Sequence, residues 1–141
     1  CPPYAKGTTG GDYTSAEDRK DLSVVEQFHF SRAVETLTQG MTGSLGGDIS
    51  YTLEHFPNHH RALASMAKLG LRLKSAQPVG ARYTVSCFFE RAIAFAPHDV
   101  TARMVYGNYL LAMGQDATAL EQLEAASRLA PDQAPSSTTW A

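Results

Sequence analysis

Residues 85–97 read VSCFFERAIAFAP and residues 119–131 read ALEQLEAASRLAP, and their closing prolines, Pro97 and Pro131, stand 34 residues apart. Val85, Phe89 and Ala92 recur in the first stretch at steps of four and three, as Ala119, Leu123 and Ala126 do in the second. Those steps put three apolar side chains on one face of an α-helix. Proline has no amide hydrogen to donate and disfavours helical geometry in the residue before it, so each stretch predicts a helix that stops at its proline. A period of this length marks a helical hairpin that cannot bury its apolar face alone and must stack on a neighbour.

The C-terminal unit is the clearest. It begins near Val100, Tyr106 and Gly107 pair a large residue with a small one, Gly114 stops the first helix and Asp116 opens the second. Ala119 lets the two helices approach. These positions resemble the tetratricopeptide-repeat family, with Arg103 standing where that family has a large aromatic or apolar residue. Leu63, Met66 and Ala67 follow Pro57 at the same offsets as Arg103, Tyr106 and Gly107 follow Pro97. Pro57 and Pro97 are 40 residues apart, roughly six more than the usual repeat. The surplus falls at 74–81, where Gln77, Pro78 and Gly80 interrupt the helical pattern.

Upstream, Ser23–Gln39 reads as one amphipathic helix, with Ser23 and Glu26 as a capping box and Gly40 as its C-cap. Four glycines crowd Gly40–Gly47, and Asp48–Phe56 reads as a short helix with Ile49, Leu53 and Phe56 on one side. The expected fold is therefore all-α, a short α-solenoid of tetratricopeptide-like hairpins with irregular arms at both ends. Its divisions are an N-terminal arm and lead-in (1–22), a degenerate first hairpin (23–57), a repeat with an insertion near 74–81 (58–97), a second repeat (98–131) and a C-terminal arm (132–141).

Composition narrows the function. The chain has 141 residues, 43% of them hydrophobic, and no uninterrupted apolar run long enough to cross a membrane. A net charge of -2 with scattered Lys and Arg gives no reason to expect nucleic acid. His55, His59 and His60 are the one local cluster resembling a metal site, but Pro57 breaks the helix between them and Asn58 with its neighbours reads as a helix cap. Gly10–Gly11 and Gly46–Gly47 are turn punctuation without the lysine of a phosphate loop. We expect no enzyme, no metal and no cofactor.

The ends differ from the middle. Residues 1–14 (CPPYAKGTTGGDYT) and 134–141 (APSSTTWA) are rich in Pro, Gly, Ser and Thr, and read as arms laid against another copy, with Trp140 as an anchor. A chain opening on Cys1 reads as an exported product from which a leader has been removed. Cys1 then either carries a lipid or pairs with Cys87. Glu121 holds the place of Cys87 in the next repeat, which predicts an outer-face position. An exposed thiol in an exported protein is a liability unless paired, so a Cys1–Cys87 bridge is favoured, within one chain or between two. No Asn is followed two residues later by Ser or Thr, whereas Thr8, Thr9, Ser136, Ser137, Thr138 and Thr139 are candidate O-linked positions.

Function follows from the missing cap. No polar helix covers the last repeat, and Leu120 and Leu129 stand ready beside Leu123 and Ala126 for a neighbour's first helix. A head-to-tail contact of this kind generates an open filament unless it closes. The expectation is a self-assembling structural subunit of an extracellular fibre, its partner another copy. The alternative is a binding module, periplasmic or lipid-anchored through Cys1. The family resemblance implies a concave groove lined by Arg61, Ala64, Lys68, Leu71 and Arg72 from one repeat and Thr101, Met104, Asn108, Leu111 and Ala112 from the next. Its basic wall suits an acidic peptide or protein partner.

Overall fold

Five helices of this chain start in the same way. A residue in extended conformation accepts, on its own side chain, the amide hydrogen three residues on: Ser31 from Val34, Ser44 from Gly47, His59 from Ala62, Thr84 from Cys87 and Asp99 from Ala102. Each cap satisfies one of the amides that a helix start leaves without an intrahelical partner. In the computed structural model, residues 1–5, 7, 10–40 and 43–129 are described. Among them the protein is all-helical: a 3-10 turn (Asp18–Asp21), then α1 (Leu22–His29), α2 (Arg32–Glu35), α3 (Leu45–His55), α4 (His60–Leu73), α5 (Val85–Phe95), α6 (Val100–Ala112) and α7 (Asp116–Leu129).

The two proline turns are copies of each other. α3 ends before Phe56, α5 ends before Ala96, and both flanking residues leave helical geometry in the same way, with φ near -130° and ψ of 86° and 74°, because a following proline disfavours the helical region. The His59 amide then donates to the Phe56 carbonyl, and the Asp99 amide to the Ala96 carbonyl, each at 3.0 Å. The two helices that follow also end alike. At α6, Gly114 (φ +78°) and Gln115 donate to Leu111 and Leu110; at α4, Lys74 (φ +51°) and Ser75 donate to Leu71 and Gly70. This is the paired closure that a left-handed residue makes at a helix end.

Each helix from α3 to α7 packs on the next, α4 also packs on α6, and α2 lies against α3 and α4. One apolar core runs through them, from Phe30, Val34, Ile49 and Leu53 through Leu63, Met66, Val85, Phe88 and Phe89 to Tyr106, Leu110 and Ala119. A Cβ on Gly107 would collide with Leu123 of α7, so that position has to be small for α6 and α7 to meet. A smaller cluster of Leu22, Val25 and Phe56, with Tyr13 against it, seats α1.

The first part of the chain departs from its sequence reading. Ser23–Gln39 is two helices: the backbone breaks at Phe30, whose ring is buried in the core, and Ser31 caps a new short helix. Ser23 therefore lies inside α1, and Glu26 turns away from a capping box toward His59 and Arg61. The third helix starts at Leu45, earlier than Asp48, because Ser44 caps it. Segment 74–81 is non-helical and lies across the start of α3. Its Val79 carbonyl meets Gly46 where a Cβ would stand, and the Arg82 amide donates to Ser50 Oγ at 3.0 Å.

Candidate functional site

Residues 1–4 form a strap across α5. Cys1 is bonded to Cys87 of the same chain. One turn further along, Arg91 donates from Nη1 to the Pro2 carbonyl at 2.6 Å and stands 4.7 Å over the Tyr83 ring. Tyr4 meets the Phe95 ring edge-on at 4.9 Å and reaches the His55 carbonyl through its hydroxyl. Cys87, Arg91 and Phe95, spaced by four, share one face of α5, and the strap lies on it. Gly10 and Gly11, both at positive φ, then bring the chain flat against the end of α3, where the Gly11 amide donates to the His55 carbonyl at 2.9 Å.

Three expectations change here. The described part of the N-terminal arm packs on its own chain rather than on another copy, because the disulfide and the Arg91 and His55 contacts hold it there. Cys87 is buried, not exposed, since the strap covers a face that stays open around Glu121 in α7. The sulfur of Cys1 is consumed in the disulfide, which leaves no thiol for a lipid.

Beyond the glycines the arm enters a polar joint. Asn58, fully buried, accepts from the Tyr13 amide and donates to Asp12 and Asp99 at 2.9 and 2.8 Å. Asp99 also caps α6 and contacts His60 Nε2 at 2.8 Å. Burial pushes Asp99 up, but His60, the Ala102 amide and Asn58 outweigh it and hold the carboxyl below its usual value. Asp12 is likewise held low against its burial by Asn58 and Thr14. His59 is the helix cap that Asn58 was expected to be: Nδ1 accepts from the Ala62 amide at 3.1 Å, and Nε2 lies 2.6 Å from Glu26 of α1. Both ring nitrogens are thus engaged, which leaves neither for a metal. Burial pushes His59 down to about 4, although Glu26 works in the opposite direction.

The groove residues divide. Arg61, Ala64, Lys68 and Arg72 line a trough of about 510 Å³ with Arg32 and Glu35. Ala64 and Lys68 continue into an apolar hollow of about 230 Å³ with Leu71, Val105, Asn108 and Tyr109. Met104, Leu111 and Ala112 line neither, and Thr101 opens onto a separate polar pocket with Asp12, His60 and His98. Arg61 is held by Glu26 at 2.5 Å and Glu35 at 2.9 Å, and Arg72 donates to the Leu37 carbonyl. Lys68 and Arg32 make no ion pair among the described residues, so they carry the free charge of the wall.

At the far end, Leu120 and Leu129 are exposed among the described residues, at 56% and 39%. Trp140 and the candidate O-linked positions Thr8, Thr9, Ser136, Ser137, Thr138 and Thr139 lie outside the described residues. Sequence reasoning missed Arg91, Asn58 and Glu26 as contact residues, because their partners are distant in the chain. The signal available was weak: polar residues at places where helical spacing points inward. Among the described residues no helix is long and apolar enough to cross a membrane. No protein-family model matches this chain, and neither the curated proteins nor the solved structures contain a significant match to it.

Proposed function

We propose that this protein is an exported structural subunit, a tetratricopeptide-like stack of hairpins whose copies join end to end into an extracellular filament. The observation that carries the reading is exposed apolar surface on the first and last helices among the described residues. Val24 and Phe28, one turn apart on α1, are 55% and 56% exposed, and Leu120 and Leu129, on opposite flanks of α7, 56% and 39%. Isolated exposed apolar residues are ordinary, but the Val24–Phe28 face at one end of the helix order and Leu120 at the other suit a heterologous contact that repeats. Fully burying a Val, Leu or Phe side chain contributes about 1.5–3 kcal/mol, which sets the scale for Val24, Phe28 and Leu120 in such a contact. The Cys1–Cys87 bridge supports an oxidising location and works inside each subunit. The joint between subunits is then non-covalent, and denaturant without reductant should dissolve it.

Sedimentation velocity and negative-stain microscopy test this. Wild-type protein is expected as polymers, and Leu120→Asp or Phe28→Asp as single subunits of 15.2 kDa with unchanged far-ultraviolet dichroism. A wild-type protein that remains a 15.2 kDa monomer at high concentration overturns the proposal.

A second reading rests on the trough. Free charges at Arg32 and Lys68 beside an apolar hollow suit a peptide that carries carboxylates next to a Leu or Phe. Anisotropy of a labelled acidic peptide should then fall tenfold or more in affinity with Lys68→Glu. Equal binding by both proteins removes this reading.

A further inference from the structure

We propose that acidification unseats α1, and with it the Val24–Phe28 face, through protonation of His59. The geometry makes His59 the hinge of that helix. Its ring is fully buried and engaged at both nitrogens: the Nδ1 lone pair caps α4 at Ala62, a role that protonation ends, and the Nε2 hydrogen points at Glu26 of α1. An added proton has one place to go, Nδ1, where it faces the Ala62 amide hydrogen and removes the cap. The surroundings give the ring no water to turn to. Tyr13 of the arm covers it at 4.3 Å and Phe30, just after α1, at 5.0 Å.

Several other charged groups face this joint. Glu26 favours the charged ring, but it is shared with Arg61, which opposes that charge and is itself held by Glu35 of α2. His60, next in the chain, is turned to Asp99 at the start of α6, and Asp12 reaches the same cluster through Asn58. The other polar seat of α1 is His29, 3.0 Å from Asp48 of α3 and stacked on Tyr51. The ring of His29 is partly open to solvent, whereas the ring of His59 is closed off. Burial agrees in direction, holding His59 down to about 4.

The consequence for assembly rests on the self-assembly reading above, but the movement of α1 does not. Hydrogen exchange of the intact, disulfide-bonded protein measures that movement, after correction for the intrinsic pH dependence of exchange. Between pH 7.5 and 4.5 the opening constant of the α1 amides should rise roughly 70-fold, the factor for a group titrating at 6.5 when free and 4 when seated. Amides of α6 should keep their protection. His59→Asn retains a capping oxygen without a titrating ring, and its α1 amides should respond to pH far less. His29→Gln, which removes the ring facing Asp48 and leaves His59 in place, should keep the transition. Flat α1 protection in the wild type, or the wild-type course in both variants, overturns the proposal. If α1 opens as expected and the protein is monomeric at pH 7.5, the filament reading alone has failed. If polymers form and α1 stays shut in acid, this inference alone has failed.

Discussion

α5 and α7 carry the same pattern 34 residues apart, yet they live in different surroundings. α5 buries Val85, Cys87, Phe88, Phe89, Arg91 and Ala92, whereas α7 buries Ala119 and Ala126. The buried residues they share by position are Val85 with Ala119 and Ala92 with Ala126; Val85 meets Gly70 of α4, and Ala119 lies beside Gly107 of α6. The unshared ones are set by what lies outside. α5 has α4 and α6 on its flanks and the strap over its outer face; among the described residues α7 has α6. Pattern thus fixes the inner face of a hairpin, and long-range chain placement decides whether its outer face is covered.

The largest test of that contrast removes the strap. The Cys1–Cys87 bridge closes a loop with a sequence separation of 86, and the loop-entropy relation assigns such a cross-link about 4.5 kcal/mol. Cys1→Ser/Cys87→Ser should lose stability on that order in urea titrations read by dichroism. Hydrogen exchange should localise the new opening to α5 and the arm, making the outer face of α5 resemble that of α7. A loss below about 1 kcal/mol would mean that the Arg91 and Tyr4 contacts suffice without the covalent link.

The second test compares the caps His59 and Asp99, which follow Pro57 and Pro97 at the same offset but titrate differently. His59 is held at about 4, below the ordinary histidine value of 6.5, so between those values the unfolded chain binds a proton that the folded one refuses. Stability is complete above 6.5 and falls as pH drops toward 4, by about 3 kcal/mol in all. Asp99 is also held low, but for a carboxyl this means its contribution persists until the pH falls below the ordinary value near 3.8. Acid should therefore disable the α4 cap first and the α6 cap second. Urea midpoints from pH 8 to 3 should show a first decline above pH 4 that His59→Asn abolishes and Asp99→Asn leaves.

These two sites also mark how far the sequence could be read. Helix ends at Pro57, Pro97 and Gly114, the small residue at 107 and the break at 74–81 follow from chemistry local to each residue, so pattern alone exposes them. The pairing of Cys1 with Cys87 was legible as chemistry, but not its confinement to one chain. The division of Ser23–Gln39 was illegible, because a buried Phe30 and a distant His59 decide it, and neither alters the helical spacing of the segment. Asn58 read as a local cap for the same reason: its true partners, Asp12 and Asp99, lie 46 and 41 residues away.

The smallest expected effect concerns the one local position where the two α-helix ends differ. Lys74 and Gly114 sit at matching distances from their prolines and both take the left-handed conformation that closes α4 and α6. For a residue with a Cβ that conformation costs about 1 kcal/mol or more, and glycine is spared it. Lys74 is exposed and makes no ion pair among the described residues, so little is lost with its side chain. Glycine is more flexible in the unfolded chain, which returns part of the gain. Lys74→Gly should therefore stabilise the protein by about 0.5 kcal/mol, a rise in urea midpoint with an unchanged slope. Lys74→Val should lower it, because branching at Cβ is worst at positive φ. If glycine destabilises instead, the side chain of Lys74 contributes to the α4 end, and the likeness between the two helix closures stops at their backbones.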